Sequence, residues 1–233
     1  MEKSDFESLC LKIFSNLFEK AKSKNETQFL TSFFPFYKQQ GYNIISYIID
    51  YEFTELLELI KTLHIPEDNN EIDNKTKSRI RLLIYCHIIE IDFVYMVIYN
   101  MLRTISCQKY SAQITITDIN GKIKVLEYPY QKIELIIKES QKSNINFKEI
   151  FIEMFDGNLR NVFSHSQYFL HDTGGLEASN YLAPTSSKFM KSGKPTYNYN
   201  IMGSHPIYSL FEFKKLTIDF SFRLAYFYNI NLL

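Results

Sequence analysis

Apolar residues near the start of the chain recur every three or four positions. Phe6, Leu9, Cys10, Ile13, Phe14, Leu17 and Phe18 share one stripe, which predicts an amphipathic helix over 5–23 with a cap near Ser4 or Asp5. Residues 26–40 predict a second helix, disturbed at Pro35, and Gly41 breaks the chain. Ile44, Ile45, Ile48, Ile49, Phe53, Leu56, Leu57, Ile60 and Leu63 predict a third over 43–64. Pro66 and an acidic, Asn-rich run to Asn74 end it. Residues 65–75 therefore read as a linker between an N-terminal helical subdomain, 1–65, and a main domain, 76–233.

Residues 76–106 predict one long helix, with Ile80, Leu83, Ile84, His87, Ile88, Ile91, Val94, Tyr95, Ile98 and Leu102 at helical period. Being apolar nearly all round, it belongs at the centre of a bundle, with His87 as a satisfied core histidine. Glu90 and Asp92 are its interior charges. A buried carboxylate needs a partner, so Glu90 faces either a functional site or a nearby Arg. The alternative is that both point to solvent at a bundle edge.

The period then changes to two. Gln113–Thr117 and Lys122–Leu126 alternate around Asp118-Ile119-Asn120-Gly121, which predicts a β-hairpin over 111–128 with an Asn-Gly turn. Residues 130–141 predict a helix. Asn146 and Glu149 have capping-box spacing and open the helix of Phe147, Ile150, Phe151 and Met154. Gly157 weakens or bends it, and Leu159, Val162 and Phe163 resume the apolar face into Tyr168. A long segment comes next, with turn signals at Gly174-Gly175 and Pro184 and an edge strand at Tyr197–Asn200. Residues 209–228 read as a final helix whose dense aromatics leave part of it open to strand. The fold class is mainly α: a helical bundle with an inserted β-hairpin and an N-terminal helical extension.

Composition narrows the function classes. Of 233 residues, 45% are hydrophobic and 22% charged, enough for a core and unlike a disordered chain. Lys+Arg and Asp+Glu both number 26, so no global field draws the protein to nucleic acid and any such binding uses a local patch. Lys188, Lys191 and Lys194, with Lys214 and Lys215, make 185–215 locally basic, either an RNA-guiding patch or a solvated face. Three scattered cysteines have no metal or redox spacing, which fits reduced thiols in a cytoplasmic protein. The N-terminus carries no signal-peptide pattern. The apolar run Leu82–Leu102 is interrupted by His87, Glu90 and Asp92, which argues for a buried helix over a membrane span.

The chemistry concentrates between Asp156 and Tyr168. Arg160, Asn161, His165 and Tyr168 fall within nine residues. On a helix Arg160 and His165 stand about 140° apart, whereas Asn161 and His165 share a face. Histidine is the natural proton shuttle near neutral pH. Arginine offers a planar fork that matches phosphate and stabilises charge building on it. Asparagine can orient the imidazole or hold a phosphate oxygen. Together they suit transesterification at an RNA phosphodiester without metal.

Arg160-Asn161-Val162-Phe163-Ser164-His165 matches the Arg-Asn-x-x-x-His form of the motif of the HEPN (higher eukaryotes and prokaryotes nucleotide-binding) superfamily, which the chain resembles. The predicted Arg79–Ser106 helix is similar to the long helix that precedes the motif helix there. The resemblance implies a bundle that dimerises so that two motifs meet in one composite cleft. It implies metal-independent endoribonuclease activity in a toxin, abortive-infection or antiviral setting, with an antitoxin or defence-system partner in some cases. By that resemblance Arg160, Asn161 and His165 are the catalytic residues. Ser164, Tyr168 and Glu90, with Lys188, Lys191 and Lys194, are candidate substrate-binding residues. One subset of the superfamily carries a modified tyrosine two residues after the histidine. Tyr168 lies three after, which speaks against a cognate nucleotidyltransferase antitoxin.

The rival readings are a non-catalytic HEPN-like module that holds nucleotide or RNA or mediates assembly, and a structural helical protein in which Arg160 and His165 are a surface pair. His171-Asp172 reads as a loop pair. His165, His171 and His205 lack supporting Cys or carboxylate spacing, so neither metal nor cofactor is expected. Gly174-Gly175 has no phosphate-loop context.

Overall fold

The first apolar stripe forms α1, Lys3–Lys24, and buries Phe6, Cys10, Ile13, Phe14, Leu17, Phe18 and Ala21. A computed structural model describes residues 2–32, 58, 72–166, 168–170, 172 and 176–178. The helix starts earlier than expected: Glu2 holds the cap position without a side-chain bond, and Asp5 sits in the first turn, where the helix dipole favours a negative charge. Asn25 breaks the chain, and its Oδ1 accepts from the Gln28 amide at 2.9 Å to cap α2, Glu26–Ser32. The disturbance at Pro35, the 43–64 helix, most of the 65–75 linker, the 197–200 strand and the 209–228 helix lie outside the described residues.

The expected long helix is two helices, α3, Asn74–Glu90, and α4, Asp92–Ile105. Ile91 parts them with an extended backbone, φ −67° and ψ 110°. The buried Tyr95 hydroxyl donates to the Ile89 carbonyl at 2.9 Å, one of the acceptors a helix end leaves open. The break also corrects the reading of the two carboxylates as interior charges. Glu90 ends α3, Asp92 opens α4, and both are exposed. His87 is exposed as well, beside Leu83 one turn earlier, so it is no core histidine. In a helix this apolar, periodicity does not say which stripe faces out. By length and composition Asn74–Ile105 could cross a membrane, but 67% of its most apolar window is buried against the rest of the protein.

Helix α4 is the core element, with Phe93, Tyr95–Leu102 and Thr104 all buried. It packs on α1, α2 and α5, Pro129–Lys142, while α6, Phe147–Met154, packs on α5 and α1. Phe14 meets Phe147 with ring centroids 5.8 Å apart, and Phe18 meets Phe29 edge-on at 5.9 Å. The two N-terminal helices thus share one hydrophobic cluster with α4 and α6. Asp73 caps α3, its carboxylate accepting from the Thr76 amide at 2.9 Å and hydroxyl at 2.7 Å.

Between α4 and α5 stands the expected antiparallel hairpin, β1, Thr115–Thr117, and β2, Ile123–Val125, with Ile116 opposite Lys124. Its turn is not a two-residue Asn-Gly turn. Three residues, Ile119–Gly121, span it, and Gly121 takes the left-handed conformation at φ +78°. Asp118 Oδ1 braces the loop, accepting from the amides of Asn120 at 2.8 Å and Lys122 at 2.9 Å. Only the foot of the hairpin, Ile114 and Leu126, is buried.

The expected capping box before α6 is also different. Asn146 Nδ2 donates to Glu149 Oε1 at 2.5 Å, and no side chain caps the helix. After α7, Gly157–Ser164, the apolar face does not continue helically into Tyr168. Ser166 turns left-handed at φ 54°, and the chain becomes a second hairpin, β3, Tyr168–Leu170, against β4, Leu176–Ala178. The described fold is therefore mainly α with two small antiparallel hairpins.

Candidate functional site

The motif sits on α7, and α7 is hung from α3. Asp156 stands just before the helix, and its Oδ1 accepts from the Leu159 amide at 3.1 Å in the manner of a cap. The Asp156 amide donates to the Tyr85 hydroxyl at 2.6 Å, and that hydroxyl donates to the Asp156 carbonyl at 3.3 Å. Burial holds the Tyr85 phenol far above its ordinary pKa, so it remains a neutral O–H in this role. One buried side chain on α3 thus sets where α7 begins, 71 residues later.

One turn and more along α3, Glu90 reaches the motif itself. Its Oε1 accepts from Arg160 Nε at 2.5 Å, and Arg160 Nη1 donates to Asn161 Oδ1 at 3.3 Å. Both ends of the ion pair are accessible, with side chains 24% exposed for Arg160 and 43% for Glu90. Pairs this wet contribute roughly 0.2–1 kcal/mol, so the contact matters for where it points the guanidinium rather than for stability. Nearby, burial pushes the Cys86 thiol up to about 12, with the charge of Arg160 lowering it and that of Glu90 raising it to lesser extents.

His165 lies one residue past the end of α7. Its amide still bonds the Asn161 carbonyl at 3.0 Å, and its ring is exposed, as is Ser164. Among the described residues its imidazole makes no hydrogen bond or ion pair, with Arg160 or otherwise. Tyr168, on β3, stacks on Phe163 with ring centroids 5.9 Å apart. Beyond it, Phe169 is 57% exposed, with Lys75 Nζ 5.5 Å from its ring centre and paired to Asp172 at 3.3 Å. Within one chain, then, Glu90, Arg160 and Asn161 form a hydrogen-bonded set, and His165 and Ser164 stand exposed at the end of the same helix. Lys188, Lys191 and Lys194 lie outside the described residues, as do His171 and His205. Among the described residues no three His, Cys, Asp or Glu side chains are grouped to hold a metal.

The chain matches no family model, no curated protein and no solved structure. Its function must therefore be read from the chemistry of its side chains. The Arg160 fork is fixed on one edge by Glu90 and keeps N–H donors for an anion, and a titratable ring stands at the end of the same helix. Sequence reasoning missed Tyr85 and Cys86. Nothing local marks Tyr85, whose partner is 71 residues away, and the burial that shifts Cys86 is set by packing.

Proposed function

We propose that the chain is a HEPN-type, metal-independent endoribonuclease that acts as a homodimer in the cytoplasm, as a toxin or antiviral-defence effector. The observation that carries this reading is the held Arg160–Asn161 pair with an exposed His165, unpaired among the described residues, at the end of the same helix. In the proposed reaction an imidazole takes the 2′-hydroxyl proton and O2′ attacks phosphorus. Arg160 stabilises the charge that grows on the non-bridging oxygens. The bond to O5′ breaks, and the same imidazole, His165 of the second copy, now returns that proton to the leaving oxygen. The products are a 2′,3′-cyclic phosphate and a 5′-hydroxyl. Asn161 orients its neighbours, and Tyr168 and Ser164 contact substrate. Within one chain Arg160 and His165 share no hydrogen bond among the described residues, and a second copy would bring another His165 to the Arg160 fork.

The test is purified protein with RNA in EDTA. Arg160→Ala and His165→Ala are each expected to lower the cleavage rate by about 10²–10⁴-fold, the range for a positioned acid, base or charge stabiliser. Cleavage unchanged in both variants would place the activity elsewhere. A second reading, a non-catalytic module that binds RNA or nucleotide, draws support from the neutralisation of Arg160 by Glu90. RNA binding without cleavage would select it.

A further inference from the structure

The cleft beneath the first hairpin lies apart from the motif. It has a volume of about 250 Å³, opens to solvent, and is lined by the C-terminal turns of α4 and α5 and by β1. Neither Glu90 nor any residue of α7 lines it, so the two places do not overlap. Three cations line the cleft, Arg103, Lys138 and Lys142, against one carboxylate, Glu139. Arg103 is held rigid: Nε donates to the Lys109 carbonyl at 2.7 Å and Nη1 to the Tyr99 hydroxyl at 3.3 Å. Lys142 pairs with Glu139 at 2.7 Å. Lys138 makes no hydrogen bond or ion pair among the described residues. Cations in last helical turns also answer the helix dipole, but two helix ends and a strand converging on one concave space go beyond that need.

We infer that this cleft binds a small phosphomonoester. Three cations less one carboxylate leave two formal positive charges, the two helix C-termini offset roughly one of them, and the remaining positive balance opposes the negative charge of a phosphate monoester near neutral pH. A fixed guanidinium edge and a free ammonium give the pairing that phosphate oxygens take. Thr115 and Thr117 border the cleft and add hydroxyls. The volume lies just below the range of roughly 300–1,000 Å³ usual for drug-sized ligands, so a bare phosphate or a mononucleotide that stays partly in solvent fits its scale and a folded nucleic acid does not.

The experiment titrates the full chain with inorganic phosphate and separately with adenosine monophosphate, by calorimetry and by thermal melting. Sodium chloride at equal ionic strength is the control. Either probe is expected to raise the melting temperature by mass action, beyond the chloride effect. Lys138→Ala is expected to weaken binding by about tenfold or more, because it removes a charged hydrogen-bond partner without breaking a hydrogen bond or ion pair among the described residues. Tighter binding of the nucleotide than of phosphate would show that the nucleoside also enters the cleft. Equal binding would show recognition of the phosphate alone. The inference fails if neither probe exceeds chloride, if Lys138→Ala binds as tightly as the parent, or if Lys138→Ala weakens RNA binding while neither small probe binds. None of these readouts depends on RNA cleavage, so this inference and the ribonuclease reading can fail separately.

Discussion

Tyr85 shows how much one hydroxyl can decide. It is both donor and acceptor to the backbone of Asp156, and it is fully buried. Tyr85→Phe leaves the Asp156 amide without that acceptor, which costs on the order of 1–3 kcal/mol for a buried polar group. Urea unfolding should show that loss, and any RNA cleavage should fall with it as α7 loses its anchor. The cysteines give a second prediction. Cys10 and Cys86 are buried and Cys107 is exposed, so one thiol should react quickly with an aromatic disulfide reagent and two only after unfolding. Cys86 has its thiol raised by burial to about 12. A raised folded-state pKa means full stability below the unfolded value, near 8.5, and loss as pH rises from there through about 12. Tyr85 and Tyr95, also raised by burial, act in the same direction above their ordinary value near 10. Unfolding midpoints should therefore fall as pH is raised from 8 to 11.

Among the elements, the first hairpin is the one whose local code is most complete. Gly121 is left-handed, and a Cβ there would meet nothing within 4 Å. Gly121→Ala should therefore cost roughly 1–2 kcal/mol, from backbone strain alone. Gly121→Asn should cost less, because Asn tolerates that conformation. Equal melting temperatures for the two variants would contradict this account. Helices α3 and α4 behave oppositely. Their apolar run reads as one helix, and local sequence offers no Pro or Gly at Ile91. The break becomes intelligible only with Tyr95 turned back on Ile89, and with Asp92 and Glu90 each meeting a basic partner on another helix, Lys132 and Arg160.

For the whole molecule, the proposed dimer makes a sharp prediction. Arg160→Ala and His165→Ala chains, each inactive alone, should regain activity when co-refolded in equal amounts, well above the sum of the two separately. A mixed dimer would hold one intact Arg160 and one intact His165 within the same cleft. No recovery, with mixed dimers shown by mass, would leave each site within a single chain.

Spacing alone was enough for the helical character, the buried face of α1, the hairpin at 111–128 and the placing of Arg160 and Asn161 on one helix, because a period of 3.6 or 2 is a property of neighbouring residues. It was enough also to single out Glu90, though not to say what it meets. Tertiary structure decided that Glu90 holds Arg160 across 70 residues, that Tyr85 starts the motif helix, and that His87 faces outward. It decided too that the chain turns into β3 after Ser166. Each of these depends on which surfaces pack together, and in a chain apolar on nearly every side of α3 and α4 no local pattern carries that information.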